Sequence, residues 1–211
     1  MSEYGLYIIT DERISGGLSH AEVAAQALEG GAEVIQLRDK EMSGGPMLAA
    51  ALEIRELTRK AGALFIVNDR LDIALLSGAD GVHLGQGDIP IAAARKLTPP
   101  GFIIGISVLT LEEALDAEAS GADYLGPGPI FPTDTKLDAA PASGLDSLRE
   151  MSSKVSIPLV AIGGINYQNL ADVIKAGASG AAIISAAVAA PDIMASCKEL
   201  GNIITQARKE R

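Results

Sequence analysis

Tryptophan is absent from this 211-residue chain, cysteine occurs once, and aromatic side chains make up only 3% of residues. With Cys197 as the sole thiol, no disulfide framework or thiolate metal site can form within the chain, and its place in a helical pattern marks it as packing. So few aromatics leave little surface on which nucleic-acid bases could stack. Positive charge is also short. The 17 Lys and Arg stand against 27 Asp and Glu, giving a net charge of -10 and a pI near 4.7, which argues against a nucleic-acid or anionic-membrane partner. Long hydrophobic runs are missing as well: the longest run of small apolar residues, around 181–190, is far short of a membrane span. The first ten residues have neither the basic nor the apolar segment of a signal peptide. These absences predict a soluble, cytoplasmic protein acting on small molecules, in which any anionic ligand is held by a local cationic cluster or a metal. A homo-oligomer is compatible with the sequence.

What the chain has is aliphatic residues and glycine, the composition of a parallel α/β protein whose strands are covered on both faces. Eight short aliphatic runs, at 5–9, 34–38, 64–68, 81–84, 103–107, 124–126, 159–162 and 180–184, read as strands. Between and after them, segments with helical spacing fall at 18–29, 46–60, 70–77, 91–97, 111–120, 145–152, 168–176 and 192–209. Strict alternation implies parallel strands joined by right-handed crossovers. A weak repeat sharpens this. Gly31-Ala32-Glu33, Gly78-Ala79-Asp80, Gly121-Ala122-Asp123 and Gly177-Ala178-Ser179 precede every second strand, where glycine suits the left-handed end of a helix. Four copies of a two-strand unit close into a single (β/α)8 TIM barrel spanning 1–211. A doubly wound open sheet is the alternative, but it usually carries a nucleotide fingerprint after the first strand, where this chain has Thr10-Asp11-Glu12-Arg13.

A barrel places function at the C-terminal ends of its strands, and the polar residues gather there. Gln36-Leu37-Arg38-Asp39-Lys40 ends the second strand; alternation puts Gln36, Arg38 and Lys40 on one face, an amide and two cations converging on one point. Asn68-Asp69 follow the third strand and Asp88 the fourth; Asp69 and Asp88 suit either helix capping or a hard, oxygen-seeking cation such as Mg²⁺. With cations nearby, the metal reading is the better one. Ser107 ends the fifth strand. The loop from Gly126 to Ser143, carrying Thr133, Asp134, Thr135 and Lys136, is long enough to serve as a lid over an anion, with a merely mobile loop as the alternative. Gly163-Gly164 and Ile184-Ser185, after the seventh and eighth strands, lie where barrels hold phosphate on backbone N–H groups. His20, opening a helix, is expected to be exposed, and His83, within a strand, is expected to be a hydrogen-bonded barrel residue, with a general base as the alternative.

The ordered set Gln36-Leu37-Arg38-Asp39-Lys40, Asn68-Asp69-Arg70, Gly81-Val82-His83-Leu84-Gly85-Gln86, Gly128-Pro129-Ile130-Phe131-Pro132-Thr133-Asp134-Thr135-Lys136, Ala161-Ile162-Gly163-Gly164-Ile165 and Ile184-Ser185 resembles the thiamine-phosphate synthase (thiamine-phosphate pyrophosphorylase) family over nearly the full length. The resemblance implies a TIM-barrel transferase of thiamine biosynthesis. Such an enzyme couples 4-amino-5-hydroxymethyl-2-methylpyrimidine diphosphate to a thiazole phosphate, or its carboxylated form, releasing pyrophosphate. It further implies that Gln36, Arg38, Lys40, Asn68, Ser107 and Lys136 bind the pyrimidine diphosphate, with Arg38, Lys40 and Lys136 catalytic. Asp69 and Asp88 would hold Mg²⁺, and Thr133, Thr135, Gly164, Ile184 and Ser185 would hold the thiazole phosphate. Two positions depart from the family pattern: Leu109 stands where a histidine is frequent, and Pro127 where an aliphatic residue is usual between glycines. A thiazole tautomerase on the same barrel and a non-catalytic sensor of phosphorylated ligands are the competing readings.

Overall fold

The computed structural model describes residues 4–133, Thr135 and residues 141–211. Its strands are β1 (Gly5–Thr10), β2 (Val34–Leu37), β3 (Leu64–Asn68), β4 (Gly81–Leu84), β5 (Ile103–Val108), β6 (Tyr124–Pro127), β7 (Val160–Ile162) and β8 (Gly180–Ile183). The helices are α1 (His20–Glu29), α2 (Gly44–Ala61), α3 (Leu71–Ser77), α4 (Ile91–Leu97), α5 (Leu111–Ala119), α6 (Gly144–Lys154), α7 (Leu170–Lys175), α8 (Ser185–Val188) and α9 (Ile193–Lys209). All ladders are parallel, in the order β6-β5-β4-β3-β2-β1-β8-β7. The two ends of this sheet meet, so the eight strands form a nearly closed TIM-type barrel, as the alternation predicts.

The closing seam has its own construction. β6 and β7 share a single bridge, Leu125 with Leu159, where the Leu125 N–H donates to the Pro158 carbonyl at 2.9 Å. Above it the wall is completed by chain beyond β6: the N–H groups of Ile130 and Phe131 donate to the carbonyls of Ile162 and Gly163 at 2.9 and 3.0 Å. The far root of the same loop returns to this point, Ser143 and Gly144 donating to the Pro129 and Ile130 carbonyls.

Strand alternation divides the apolar residues into two layers. Leu6, Ile8, Ile35, Leu37, Phe65 and Val67 face outward into the layer shared with the helices. Tyr7, Ile9, Val34, Ile66, Tyr124 and Val160 fill the barrel interior. Side-chain caps open α1, α5 and α9. α1 and α5 each open on a reciprocal capping box, Ser19 with Glu22 and Thr110 with Glu113. α8, four residues long, is not foreseen in the sequence, because Ser185-Ala186-Ala187-Val188 is too short to display a helical period.

The repeat acquires a physical meaning at the N-terminal face of the barrel. Gly31, Gly78, Gly121 and Gly177 all have positive φ, 89°, 66°, 93° and 115°, a conformation that other L-residues adopt only with strain. Two residues later, the acidic member of three copies reaches the start of the preceding strand. Glu33 accepts from Leu6 N–H at 3.4 Å, Asp80 from Phe65 N–H at 2.8 Å and Asp123 from Ile104 N–H at 2.7 Å. Asp80 and Asp123 are held in turn by Arg55 and Arg95. The fourth copy, with Ser179, instead receives Arg208 on its carbonyl at 2.7 Å. Asp80→Ala strips Phe65 N–H and Arg55 of their shared partner, and chemical denaturation is expected to register a loss of about 1–3 kcal/mol. Because this clip lies at the end of the barrel opposite the polar strand ends, the turnover of folded protein should stay unchanged.

Candidate active site

At the C-terminal mouth the polar strand ends surround one cavity of about 590 Å³, within the range of small-molecule sites. Arg38, Lys40, Asn68, Asp69, Asp88, Ser107, Thr133, Thr135, Gly164, Ile184 and Ser185 all line it. Nearly every residue predicted from the sequence is therefore brought to one place. Gln36 sits lower, 2% exposed, on a separate inner cavity of about 30 Å³ beneath the first. Lys136 and Asp134 lie outside the described residues.

The loop after β2 is fastened from below. Asp39 points away from the cavity, as alternation requires. Its Oδ1 accepts from the N–H groups of Glu41 and Met42 at 2.7 Å each, and its Oδ2 lies 3.3 Å from His20 Nε2. His20, expected at the surface, is instead 1% exposed; its Nδ1 contacts Thr10 Oγ1 at 2.7 Å. The reason is that the first turn of α1 tucks between the end of β1 and the β2–α2 loop. Thr10 thus acts through His20 on Asp39, between the two cations Arg38 and Lys40.

On the next strands, Asp69 and Asp88 form an acidic pair. Neither caps a helix: α3 and α4 start at Arg70 and Pro90 without a side-chain cap, and Asp88 Oδ2 accepts from Gly85 N–H at 2.7 Å. Asp69 alone among the described non-glycine residues has positive φ, 60°, a conformation that the backbone resists unless its surroundings enforce it. Partial burial, followed by the adjoining Asp88 carboxylate, holds the Asp69 carboxyl above its ordinary pKa, against the opposing pull of Lys40 and Arg38. Lys40 Nζ lies 4.0 Å from Asp69 Oδ2. Two oxygen donors kept together against their own repulsion fit a hard divalent cation. Among the described residues no group of three or more His, Cys, Asp or Glu gathers around a common point, so such a cation would take its remaining ligands from water and substrate oxygens.

Across the mouth, Gly163 and Gly164 follow β7 with φ of 97° and 63°. A Cβ on Gly164 would run into the Phe131 side chain and the Pro132 carbonyl. The glycine pair therefore admits the root of the β6–α6 loop, a close approach of chain to chain beside the one expected for phosphate. That root brings Thr133 and Thr135 toward β8, where Thr135 Oγ1 donates to Ser185 Oγ at 3.4 Å. Leu109 lines the cavity as an apolar wall, its N–H held by Glu113 Oε2 at 2.6 Å.

Below the mouth, the sequence reading missed two tyrosines. Tyr7 and Tyr124 are fully buried, their hydroxyls 3.0 Å apart, and both titrate above the ordinary tyrosine value because burial disfavours the phenolate. His83, expected to be a bonded barrel residue, is one: Nδ1 lies 2.8 Å from Tyr124 OH and Nε2 lies 2.9 Å from Ser107 Oγ. Only the inward parity of Tyr7 and Tyr124 could have signalled them. Gln86, also on the cavity, donates to the Ser107 carbonyl at 2.8 Å.

Known proteins resemble this chain in sequence and in architecture. A thiamine-phosphate synthase of Methanocella arvoryzae is 56% identical over 206 residues, covering 98% of this chain and 97% of that protein. One from Chloroflexus aurantiacus is 52% identical over 203 residues, covering 96% of this chain and 94% of that one. Among solved structures, a thiamine phosphate pyrophosphorylase of Pyrococcus furiosus superposes with a TM-score of 0.91 at 46% identity, each chain covered to 97%. A 3-hexulose-6-phosphate synthase, at 22% identity and a TM-score of 0.69 over 95% of this chain and 99% of that one, shares the fold alone. The family model described as thiamine monophosphate synthase matches residues 6–187, and the chain belongs to that family.

Proposed function

We propose that the chain joins 4-amino-5-hydroxymethyl-2-methylpyrimidine diphosphate to a thiazole phosphate, plain or carboxylated, giving thiamine phosphate and pyrophosphate. The observation that carries this reading is the two-ended cavity. Arg38 and Lys40 face the Asp69–Asp88 pair at one side, and Thr133, Thr135, Gly164 and Ser185 form a hydroxyl- and glycine-rich cradle at the other. One end suits a diphosphate with a cation, the other a monophosphate, and about 590 Å³ accommodates two small heterocycles between them.

The chemistry follows from what the cavity contains. The diphosphate leaves with the bonding pair, and the electron-rich aminopyrimidine carries the resulting positive charge on its methylene carbon. The thiazole nitrogen then attacks that carbon. Few proton transfers are needed. Arg38 and Lys40 stabilise the charge growing on the departing oxygens, preorganised by the Asp39–His20 anchorage beneath them. Lys136 is the third cation of this reading. Bound Mg²⁺ would neutralise further diphosphate charge, with Asp69 and Asp88 as its protein ligands. Asn68 and Ser107 orient the pyrimidine from the cavity floor and Gln36 supports them from below, while the β6–α6 loop excludes water that would trap the cation.

The test is to mix the protein with both substrates and Mg²⁺ and to assay thiamine phosphate and pyrophosphate. Product that disappears on chelation supports the reading. Isomerisation of the thiazole alone would point to the tautomerase, and binding without turnover to a sensor. Arg38→Ala and Lys136→Ala are each expected to raise the barrier by about 2–4 kcal/mol, as when one charge-stabilising donor is lost; near-wild-type rates in both would refute their roles.

Asp69 also gives a pH and metal signature. Its folded pKa is raised, so the metal-free folded state binds its proton more tightly than the unfolded chain. Its carboxylate therefore destabilises the fold at neutral pH, and that burden is relieved as pH falls through the folded value. In chelator at pH 7, Asp69→Asn is expected to melt no lower than the parent. Added Mg²⁺ should raise the melting temperature of the parent and leave that of the variant in place; a variant that melts lower in chelator contradicts this account.

A further inference from the structure

Five polar side chains form an unbroken line through the barrel interior. The Gln36 amide nitrogen donates to Tyr7 OH at 2.6 Å; Tyr7 OH lies 3.0 Å from Tyr124 OH; Tyr124 OH lies 2.8 Å from His83 Nδ1; and His83 Nε2 lies 2.9 Å from Ser107 Oγ. The line starts beside the inner cavity and ends on the wall of the mouth, which Ser107 shares with the inner cavity. The barrel makes room for it. Gly105 lies between His83 and Tyr124 in the ladder and Gly126 pairs with Ser107; a Cβ on Gly105 would press into the Tyr124 ring, and one on Gly126 into the His83 ring.

Counting protons gives the line a direction. Tyr7 and Tyr124 stay protonated, since burial disfavours both phenolates, so each has one hydrogen to give. The Tyr7 oxygen already accepts from Gln36, and the remaining hydroxyl neighbour within reach among the described residues is Tyr124. Tyr7 therefore donates to Tyr124, and Tyr124 to His83 Nδ1. A ring that accepts at Nδ1 carries its proton on Nε2, which faces Ser107. The Ser107 oxygen accepts that bond, and its own hydrogen is left to point into the cavity.

We propose that Tyr7, Tyr124 and His83 are positioning residues that hold Ser107 as a hydrogen-bond donor toward an acceptor atom of the bound heterocycle, with the polarity set by the Gln36 amide at the far end of the line. The proposal deepens the reading of the mouth as the pyrimidine site and rests on it for the identity of the acceptor. Reversing the amide would reverse every bond in the line and turn Ser107 into an acceptor. The cavity wall thus carries a polarity written four side chains away.

Imidazole nitrogen NMR on the ¹⁵N-labelled full chain reads this without substrate. The protein has only two histidines, and His83→Asn assigns the rings. His83 is expected as the Nε2–H tautomer; in Tyr124→Phe, which keeps the packing of the ring, the single tautomer should give way to a mixture. Tyr7→Phe is the second variant, since it leaves Tyr124 without the donor that orients its hydroxyl, and the same loss of one tautomer is expected. In the thiamine phosphate assay Tyr124→Phe should lower kcat/KM by roughly two- to tenfold, the worth of one neutral hydrogen bond, and should have no further effect in a Ser107→Ala background. An Nδ1–H tautomer in the parent overturns the proposal, as does an equal loss from Tyr124→Phe with and without Ser107. A parent protein that makes no thiamine phosphate would sink the functional reading instead, while the spectra still decide the polarity of the line.

Discussion

A closed parallel barrel sends every second side chain of every strand toward a single axis, and everything placed there must fit together. In this protein that constraint is met by partition along the axis. The bulk of Tyr7, Ile66, Tyr124 and Val160 fills the interior. The inward positions nearer the mouth are Gln36, Asn68, His83 and Ser107, which line the inner cavity together. Both sets come from one alternation. Large rings are tolerated because Gly105, against Tyr124, and Gly126, against His83, have no side chain to oppose them, and hydroxyl-bearing rings let the packed layer and the polar layer bond to one another.

Charge is handled by the same kind of local arrangement. The protein as a whole repels anions, with a net charge of -10, yet its mouth gathers Arg38 and Lys40. The acidic pair opposite them leaves Asp69 with an unfavourable carboxylate and an unusual backbone conformation. Stress at the mouth contrasts with the N-terminal face, where Glu33, Asp80 and Asp123 all meet a strand N–H. Stability and chemistry thus occupy opposite ends of the same strands.

Much of this was legible in the sequence because it rests on local pattern. Aliphatic runs located all eight strands, glycine and acidic residues marked the repeat, and the polar residues at strand ends named most of the cavity wall. What escaped depends on which elements become neighbours. The burial of His20 follows from the docking of α1 against the β2–α2 loop, and nothing in its helical position announces that. Tyr7 and Tyr124 are 117 positions apart and meet only because the barrel closes. For Asp69 and Asp88 the sequence allowed capping beside the favoured metal reading, and only the folded helix starts show that neither side chain serves as a cap.

The seam between β6 and β7 ties the rim of the mouth to the barrel wall. Ile130 and Phe131 are at once the root of the long loop and the upper part of the barrel wall. The loop root and the barrel wall therefore share the same hydrogen bonds. Sequence change at this root is constrained twice, by the cavity rim it leads into and by the closure of the cylinder it completes.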